Sequence, residues 1–394
     1  MGVRLTPGTE IASYRILDFI ASGGEGDVYN AVTPEGRPVV LKQLRESVSG
    51  PDGEVHAERA RRVGRLVGAH HSCVCEILDV FAHRDLMYVV TERVEGDTLE
   101  RLLLASGPIP LEVFALILED LLAGLGWLHA RGFVHRDVKP GNIMVRAEAG
   151  RYRAVLIDLS IVFDRRLPRL TRKALGPGTY EYAPKEIIFR EDEDIDGRAD
   201  LYSAGATMFH ALTGHLPFDA SSCEALLNLC LSPERPSLRV HVPELSPKVD
   251  RYVQRLMALR ATDRPASTEA AWAEFQSLVE PAPSARLVER APTRHPAPPA
   301  TVAAGHGLRI ESGSLAGVLL AVPRNGLTLG RSLVNPEDNA ISRFHVRAAA
   351  RDRGIRLRDL GSRNGLVVRD RRRRRAFLRP GERLVLGETS LTCV

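Results

Sequence analysis

The chain has 394 residues and a formal net charge of +5, with 44% hydrophobic, 26% charged and 5% aromatic residues. That length suggests two or three domains, and that balance is ordinary for a folded, soluble protein with aliphatic cores; it excludes a chain disordered throughout. The modest positive charge suits anionic ligands such as nucleotides and phosphopeptides without demanding nucleic acid.

Five cysteines, at 73, 75, 223, 230 and 393, are odd in number and scattered. This points to reduced thiols in a cytosol and away from a secreted disulfide framework. The opening MGVRLTPGTE has no apolar run, so no signal peptide is expected. YRILDFIA, GDVYNAV and RPVVLKQL alternate apolar and polar residues between glycine turns and predict a small antiparallel sheet. Between the first two runs lies IASGGEGDVY, with glycines at 23, 24 and 26. Backbone without side chains can fold closely over phosphates, although a plain hairpin turn fits this segment equally well. A dinucleotide-binding loop is disfavoured, because the next element is a strand where that fold needs a helix.

LMYVVTERV predicts a further strand, and Leu111 to Ala130 and Leu201 to Leu212 carry helical periodicity. The first of these helices is interrupted by Glu112, Glu119 and Asp120, which makes it a buried amphipathic helix and not a membrane span. A β-rich lobe followed by a helical lobe is the coarse expectation. The stretch PAPSARLVERAPTRHPAPPA, residues 281–300, has no apolar period and reads as a linker. Beyond it, GVLLAV, GLTLG, HVRAAA, GIRLRDL, RLVLG and SLTCV form short turn-punctuated runs, the rhythm of an all-β module.

The densest chemistry sits in VHRDVKPGNIMV, residues 134–145, where apolar residues flank a polar loop. Asp137 can accept a hydrogen bond from an attacking hydroxyl, Asn142 can ligate a magnesium ion, and Lys139 can neutralise a transferring phosphoryl group. In VLIDLS, Asp158 ends an apolar run and supplies a second metal ligand.

With these motifs in order, residues 12–280 resemble the eukaryotic-like serine/threonine protein kinases. The resemblance implies an α+β two-lobed fold with ATP and Mg2+, or Mn2+ in its place, in the cleft between lobes. It implies a phosphate loop of Ala21, Ser22, Gly23, Gly24, Gly26 and Val28, and a Lys42 that contacts the α- and β-phosphates. Glu92 and Val94 fall in the interlobe hinge, with Thr91 as gatekeeper and Asp97 near the ribose. Lys139 resembles the serine/threonine branch, and Arg136 resembles the arginine that pairs with a phosphorylated activation loop. GTYEYAPKE (178–186) resembles the substrate-binding end of that loop, and LTGHLPF and DRPAS extend the match. DLYSAG (200–205) resembles the helix whose aspartate caps the catalytic loop, and Glu186 with Arg264 resembles a structural ion pair.

Four positions depart from the family. Ala21 replaces the first glycine, Ser160 replaces the glycine after the metal-binding aspartate, and PKE replaces APE. The acidic partner of Lys42 falls on Glu58, with Glu54 as the other candidate. Thr171 reads as an autophosphorylation site or an exposed loop residue, and Thr179 as a structural threonine touching the catalytic aspartate.

In the β-rich tail, LGRS (329–332), ISRFH (341–345) and GSRNG (361–365) occur in order. Each alone is a polar turn; together they resemble the forkhead-associated (FHA) family over residues 307–394, an all-β sandwich. The resemblance implies that Arg331 and Ser342 bind phosphate, Arg343 and Ser362 assist, Asn364 holds the peptide backbone beyond a phosphothreonine, and His345 braces the loops. The run Arg371 to Arg375 is expected in a solvated hairpin loop, with attraction of an acidic partner as the alternative. Nucleic acid is disfavoured because no aromatic interleaves the arginines.

The domain expectation is therefore a kinase over 12–280, a Pro/Ala-rich linker over 281–306 and an FHA domain over 307–394. The expected function is ATP- and Mg-dependent phosphorylation of protein serine or threonine, with autophosphorylation. The FHA module would bind phosphothreonine on the chain itself, on substrates or on partners, in the cytoplasm and without a membrane. The alternative is a pseudokinase scaffold acting as a phosphopeptide-binding adaptor.

Overall fold

The structure is a computed structural model that describes residues 4–22, 26–47, 60–148, 151–159, 163–164, 181–189, 195–218, 223–279, 307–312, 316–322, 327–329, 334–335, 341, 346–359, 365–369 and 371–394. It divides into two compact units, one of Met1–Asp219 with Leu226–Glu289 and one of Ala220–Ala225 with Arg290–Val394. The expected linker lies outside the described residues.

The first unit opens with an antiparallel sheet of β1 (Glu10–Ile11), β2 (Tyr14–Ser22), β3 (Gly26–Val32), β4 (Pro38–Ser47), β5 (Ile77–His83) and β6 (Leu86–Glu92), in the order β1-β2-β3-β4-β6-β5. Side chains alternate across a pleated strand, so alternate residues share a face. Ile16, Tyr29, Ala31, Val39, Leu41, Tyr88 and Val90 meet in one cluster. Lys42 follows Leu41 and therefore points to the opposite face, in register with Val28 on β3 and Val89 on β6. Gly26 is required where β3 starts, because a Cβ there would meet the Gln43 carbonyl oxygen at 2.0 Å.

The helical part follows. β7 (Asp97–Thr98) leads into α1 (Leu99–Ser106), whose first turn is capped by the Thr98 hydroxyl accepting from the Arg101 N–H. α2 (Leu111–Ala130) buries Phe114, Ile117, Leu118, Leu121, Leu122, Leu125 and Leu128, the three-and-four spacing that the sequence predicts. Its buried Asp120 is satisfied: it accepts from the Ala154 N–H at 2.9 Å and pairs with Arg153 at 3.2 Å. β8 (Phe133–Val134) precedes a short 3-10 turn, Pro140–Asn142, and the hairpin β9 (Ile143–Glu148) and β10 (Arg151–Leu156). β10 is tied to buried Cys73 and Cys75 through backbone hydrogen bonds of Leu156, both 2.9 Å. Burial pushes the Cys75 thiol up to about 12, so it packs as a neutral group. Cys73, Cys75, Cys230 and Cys393 are free and buried.

After β11 (Phe163–Asp164) come α3 (Lys185–Ile188), α4 (Arg198–Thr213), α5 (Cys223–Leu231), α6 (Pro247–Leu256) and α7 (Thr268–Gln276). α4 is buried along nearly its whole length and is the axis against which α2 and α6 pack. Arg264 reaches Glu186 at 2.6 Å, with both side chains almost fully buried, and spends its other donors on the carbonyls of Ala258, Arg198 and Leu259. The expected ion pair is thus present and fully satisfied. Among the described residues no helix is long and apolar enough to cross a membrane.

The second unit is all-β. One sheet orders β13 (Leu319–Ala321), β12 (Gly307–Ile310), β21 (Thr389–Cys393), β20 (Arg383–Leu386), β17 (Leu366–Val368) and β18 (Arg371–Arg373). The other orders β14 (Leu327–Leu329), β15 (Val346–Arg351), β16 (Gly354–Asp359) and β19 (Arg375–Leu378). Leu308, Ile310, Leu384, Leu386 and Leu391 from the first sheet, and Val346, Ala348, Ile355, Leu357 and Leu378 from the second, are fully buried. The arginine run corrects the loop expectation. Arg371–Arg373 pairs antiparallel with Leu366–Val368, and Arg375 starts the strand that pairs with β16. All three residues of β18 are exposed, so backbone pairing and not burial makes this strand.

Two outcomes follow for stability. Arg264→Met leaves the Glu186 carboxylate buried without a partner, and such losses cost about 3–5 kcal/mol. Thermal unfolding should show a large drop for that variant, and a much smaller one for Arg264→Met combined with Glu186→Leu. His210 accepts the Tyr182 hydroxyl on Nδ1 at 2.6 Å, and burial, with the His215 charge, pulls its pKa down to about 4. The unfolded imidazole keeps its ordinary value near about 6.5, so the unfolded chain binds the extra proton between the two values. Stability is present at neutral pH and lost as pH falls from about 6.5 towards 4, by up to about 3 kcal/mol at about 1.36 kcal/mol per unit. His210→Asn, which keeps an acceptor for Tyr182, should flatten that part of the stability-versus-pH curve relative to the parent.

Candidate active site

The loop from Val134 to Asn142 is shaped by one buried carboxylate. Asp200 on α4 is fully buried and accepts the N–H groups of His135 and Arg136, both at 2.8 Å. It also bonds His129 Nε2 at 2.8 Å. Burial alone would raise its pKa, but the His129 hydrogen bond, the His129 and His135 charges and the His135 N–H hold the carboxyl below the usual range. Arg136 has φ of 70°, a left-handed conformation that an arginine adopts at a cost. The two bonds to Asp200 hold it there. His135, fully buried, accepts the Asp137 N–H on Nδ1 at 3.2 Å and donates from Nε2 to the Ile157 carbonyl at 3.3 Å.

The loop so held presents Asp137. Its Oδ2 accepts from Lys139 Nζ at 2.7 Å and from Asn142 Nδ2 at 2.9 Å, and Asn142 Nδ2 also donates to the Asp137 carbonyl at 2.8 Å. Oδ1 is buried and accepts no hydrogen bond among the described residues. Burial alone would lower the Lys139 pKa. The charge and hydrogen bond of Asp137, and then the charges of Asp158 and Glu100, raise it, so the ammonium stays charged. The inward use of the Asn142 nitrogen leaves its amide oxygen as the atom available to a cation.

Asp158, two residues beyond β10, is also left-handed, with φ of 62°. Both its oxygens accept from Lys42 Nζ at 2.7 Å. The structure therefore brings together Lys42, Asp137, Lys139, Asn142 and Asp158 as the sequence expects, and gives Lys42 a carboxylate 116 positions away. Glu58 and Glu54 lie outside the described residues, as do Gly23, Gly24, Ser160, Thr171 and Thr179. Of the phosphate loop, Ala21 pairs with Val28 across the hairpin, and the Ser22 hydroxyl donates to Asp27 at 2.5 Å. In the hinge, Glu92 accepts the Glu76 N–H at 3.0 Å, Val94 is half-buried, and Asp97 is exposed beside Arg101 at 3.5 Å. In the second unit Arg331, Ser342, Arg343, Ser362 and Asn364 are outside the described residues.

Two residues near the site went unremarked in sequence. His129 ends α2 and bonds Asp200; a histidine in the last turn of a long apolar helix, six residues before His135, was the available signal. Glu100, at the start of α1, approaches Gly141, where a Cβ would lie 3.3 Å from its Oε2. Its relation to Lys139 depends on the fold and has no short-range sequence signature.

The donor set fits a magnesium nucleotide. A carboxylate and an amide oxygen are the hard ligands that small divalent cations take, a lysine ammonium is a phosphate partner, and an unengaged carboxylate oxygen suits a hydroxyl donor.

Residues 14–275 match the family described as protein kinase domain, and residues 327–387 match the FHA domain. The serine/threonine-protein kinase PknL of Mycobacterium tuberculosis is 30% identical over 270 residues, which cover 68% of this chain and 66% of that protein. The serine/threonine-protein kinase pkn3 of Myxococcus xanthus is 30% identical over 292 residues, covering 71% and 52%. The chain thus spans 66% or less of the length of these relatives. Among solved structures, the PknI kinase domain of Mycobacterium tuberculosis shares the fold with a TM-score of 0.56 at 21% identity, over 70% of this chain and all of that one. Rad53 1–466 in complex with AMP-PNP gives 0.55 at 21% identity, over 67% and 65%. More than half the chain matches one family's pattern, over the stretch that folds into a sheet and a helical part around Lys42, Asp137 and Asp158: the chain belongs to the protein kinase family and carries an FHA domain.

Proposed function

We propose that the chain transfers the γ-phosphoryl group of Mg-ATP to serine and threonine hydroxyls of proteins, itself included, and that its FHA domain binds phosphothreonine. The observation that carries the first part is Asp137: one oxygen is pinned by Lys139 and Asn142 while the other is buried and unsatisfied among the described residues. Such an oxygen is poised to accept a substrate hydroxyl and to orient it for attack. ATP supplies the phosphoryl group when bound, and the metal screens the triphosphate charge. Asp158 and the Asn142 amide oxygen would hold that metal, and Lys42 would hold the phosphates. Lys139, bonded to Asp137 at 2.7 Å, places positive charge beside the transfer. Ala21, Gly26 and Val28 share the Lys42 face of the sheet and, with Ser22, would cover the phosphates, with Glu92, Val94 and Asp97 along the base and ribose. Arg136 and Thr171 would form the phosphorylation switch, with Thr179 and Glu58 in the supporting roles that the family implies. A cytoplasmic setting supplies both ATP and the reducing conditions under which the buried thiols stay free.

For phosphothreonine, Arg331 and Ser342 would bind the phosphate, Arg343 and Ser362 would assist, and Asn364 would hold the peptide backbone. The support is the FHA match and the all-β unit that frames these segments.

Each half has its own measurement. Asp137→Asn should lower phosphate transfer from labelled ATP by about 10²- to 10⁴-fold, the range of a positioned base. Its nucleotide affinity by calorimetry should stay within about twofold of the parent. Equal labelling of parent and variant would refute the assignment, and no labelling of either would leave a scaffold in place of an enzyme. Arg331→Ala should lose capture of a phosphothreonine peptide, and unchanged capture would exclude that arginine from the phosphate site.

A further inference from the structure

The phosphoryl-transfer reading makes no use of the arginine run. Residues 307–394 hold eighteen arginines, no lysine and eight aspartates or glutamates. This part therefore has a surplus of ten positive charges within a chain whose net charge is only +5.

Strand register places the run beside one particular segment. Arg373 is opposite Leu366 at the start of β17, and Arg375 is opposite Arg358 near the end of β16. The Asp359 N–H donates to the Arg374 carbonyl at 2.8 Å. The Arg372 side chain lies over Gly365, whose φ is +70° and where a Cβ would meet Arg372 Nε at 2.8 Å. Asp359 and Gly365, the described residues that flank 360–364 in sequence, are thus each in contact with the arginine run.

β18 and β19 are each the last strand of their sheet, so each has one unpaired edge. Arg371, Arg373, Arg374 and Arg375 are exposed and have no ion-pair partner among the described residues. A charged edge strand does deter edge-to-edge aggregation, but a single charge commonly serves. Five adjacent like charges repel one another, and an anionic partner relieves that repulsion. Arginine also forks onto carboxylates in a way that lysine does not. From Arg373 an open groove of about 310 Å³ continues between Val368, Arg369, Ala376, Phe377 and Arg379. Arg369 is engaged there by Glu382, and Phe377, 41% exposed, gives the groove an apolar wall.

We propose that Arg373, Arg374 and Arg375 form an acidic-flank subsite beside the phosphothreonine site, so that the FHA domain selects phosphothreonine peptides whose neighbouring residues are aspartate or glutamate. This rests on the phosphothreonine reading above.

The test uses the full chain, phosphatase-treated, with fluorescence anisotropy on three labelled peptides: phosphothreonine with an Asp/Glu flank, phosphothreonine with an Ala/Gln flank, and the acidic peptide unphosphorylated. The acidic-flank phosphopeptide should bind about five- to tenfold more tightly than the neutral-flank one at about 0.1 M salt, and the ratio should narrow as salt rises. The triple variant Arg373→Ser, Arg374→Ser, Arg375→Ser, which leaves Arg372 on Gly365, should bring the ratio to about one while neutral-flank affinity stays within about twofold. Equal affinity for both flanks in the parent, or a ratio that survives in the triple variant, overturns the subsite and leaves phosphothreonine binding standing. An acidic peptide that binds equally well without its phosphate, or duplex DNA that displaces the acidic phosphopeptide at equal charge, also overturns it. Failure of the parent to bind either phosphopeptide removes the phosphothreonine reading and the subsite together.

Discussion

A carboxylate with no exposure to water governs the active-site loop. Asp200 lies on a helix buried along nearly its whole length, so its position is fixed by packing. An ionised group there is tolerated because three N–H donors converge on it, from His129, His135 and Arg136. Arg136 would relax out of its left-handed conformation without those bonds, because such strain persists only where the surroundings over-determine it. Asp137 comes next in the chain, so the direction in which its side chain points is inherited from α4 through two backbone hydrogen bonds. The buried His135 locks the same loop from the other side, joining Asp137 to Ile157 just before Asp158.

The two site carboxylates are each matched to a cation. Asp137 has Lys139 and Asp158 has Lys42, both at 2.7 Å, with all four side chains partly shielded from solvent. The two are engaged differently: among the described residues Asp137 keeps one oxygen unbonded, while Asp158 gives both oxygens to Lys42.

Much of this was legible in the sequence, for identifiable reasons. The β2–β3–β4 hairpins and the helix Leu111–Ala130 announce themselves through periods of two and of three to four residues. Asp137, Lys139 and Asn142 lie within six residues of one another, so their association needs only one tight loop. Lys42 meeting Asp158 could be expected only as a shared cleft, because the contact is set by how a sheet and a distant hairpin pack. His129 was missed for the same reason. The arginine strand was misread because strand reasoning depends on one face being buried. Arg371–Arg373 is exposed on both faces and carries no alternation, so nothing in its pattern distinguishes it from a loop; its pairing with Leu366–Val368 is inherited from the neighbouring strand.

On the proposed reading the two parts of the chain treat phosphate in opposite ways. Among the described residues the cleft sets the carboxylates of Asp137 and Asp158 against Lys139 and Lys42, so these pairs add no net positive charge for a polyanionic triphosphate. Metal ions held by Asp158 and the Asn142 amide oxygen would supply the positive charge that the triphosphate needs. The β unit has no such balance: its arginines outnumber its carboxylates by ten, and four of the five in the run have no ion-pair partner among the described residues. A phosphate brought there meets permanent charge that cannot dissociate. A site of the first kind suits turnover and one of the second suits retention, which is the division of labour expected if one unit places a phosphate and the other holds it.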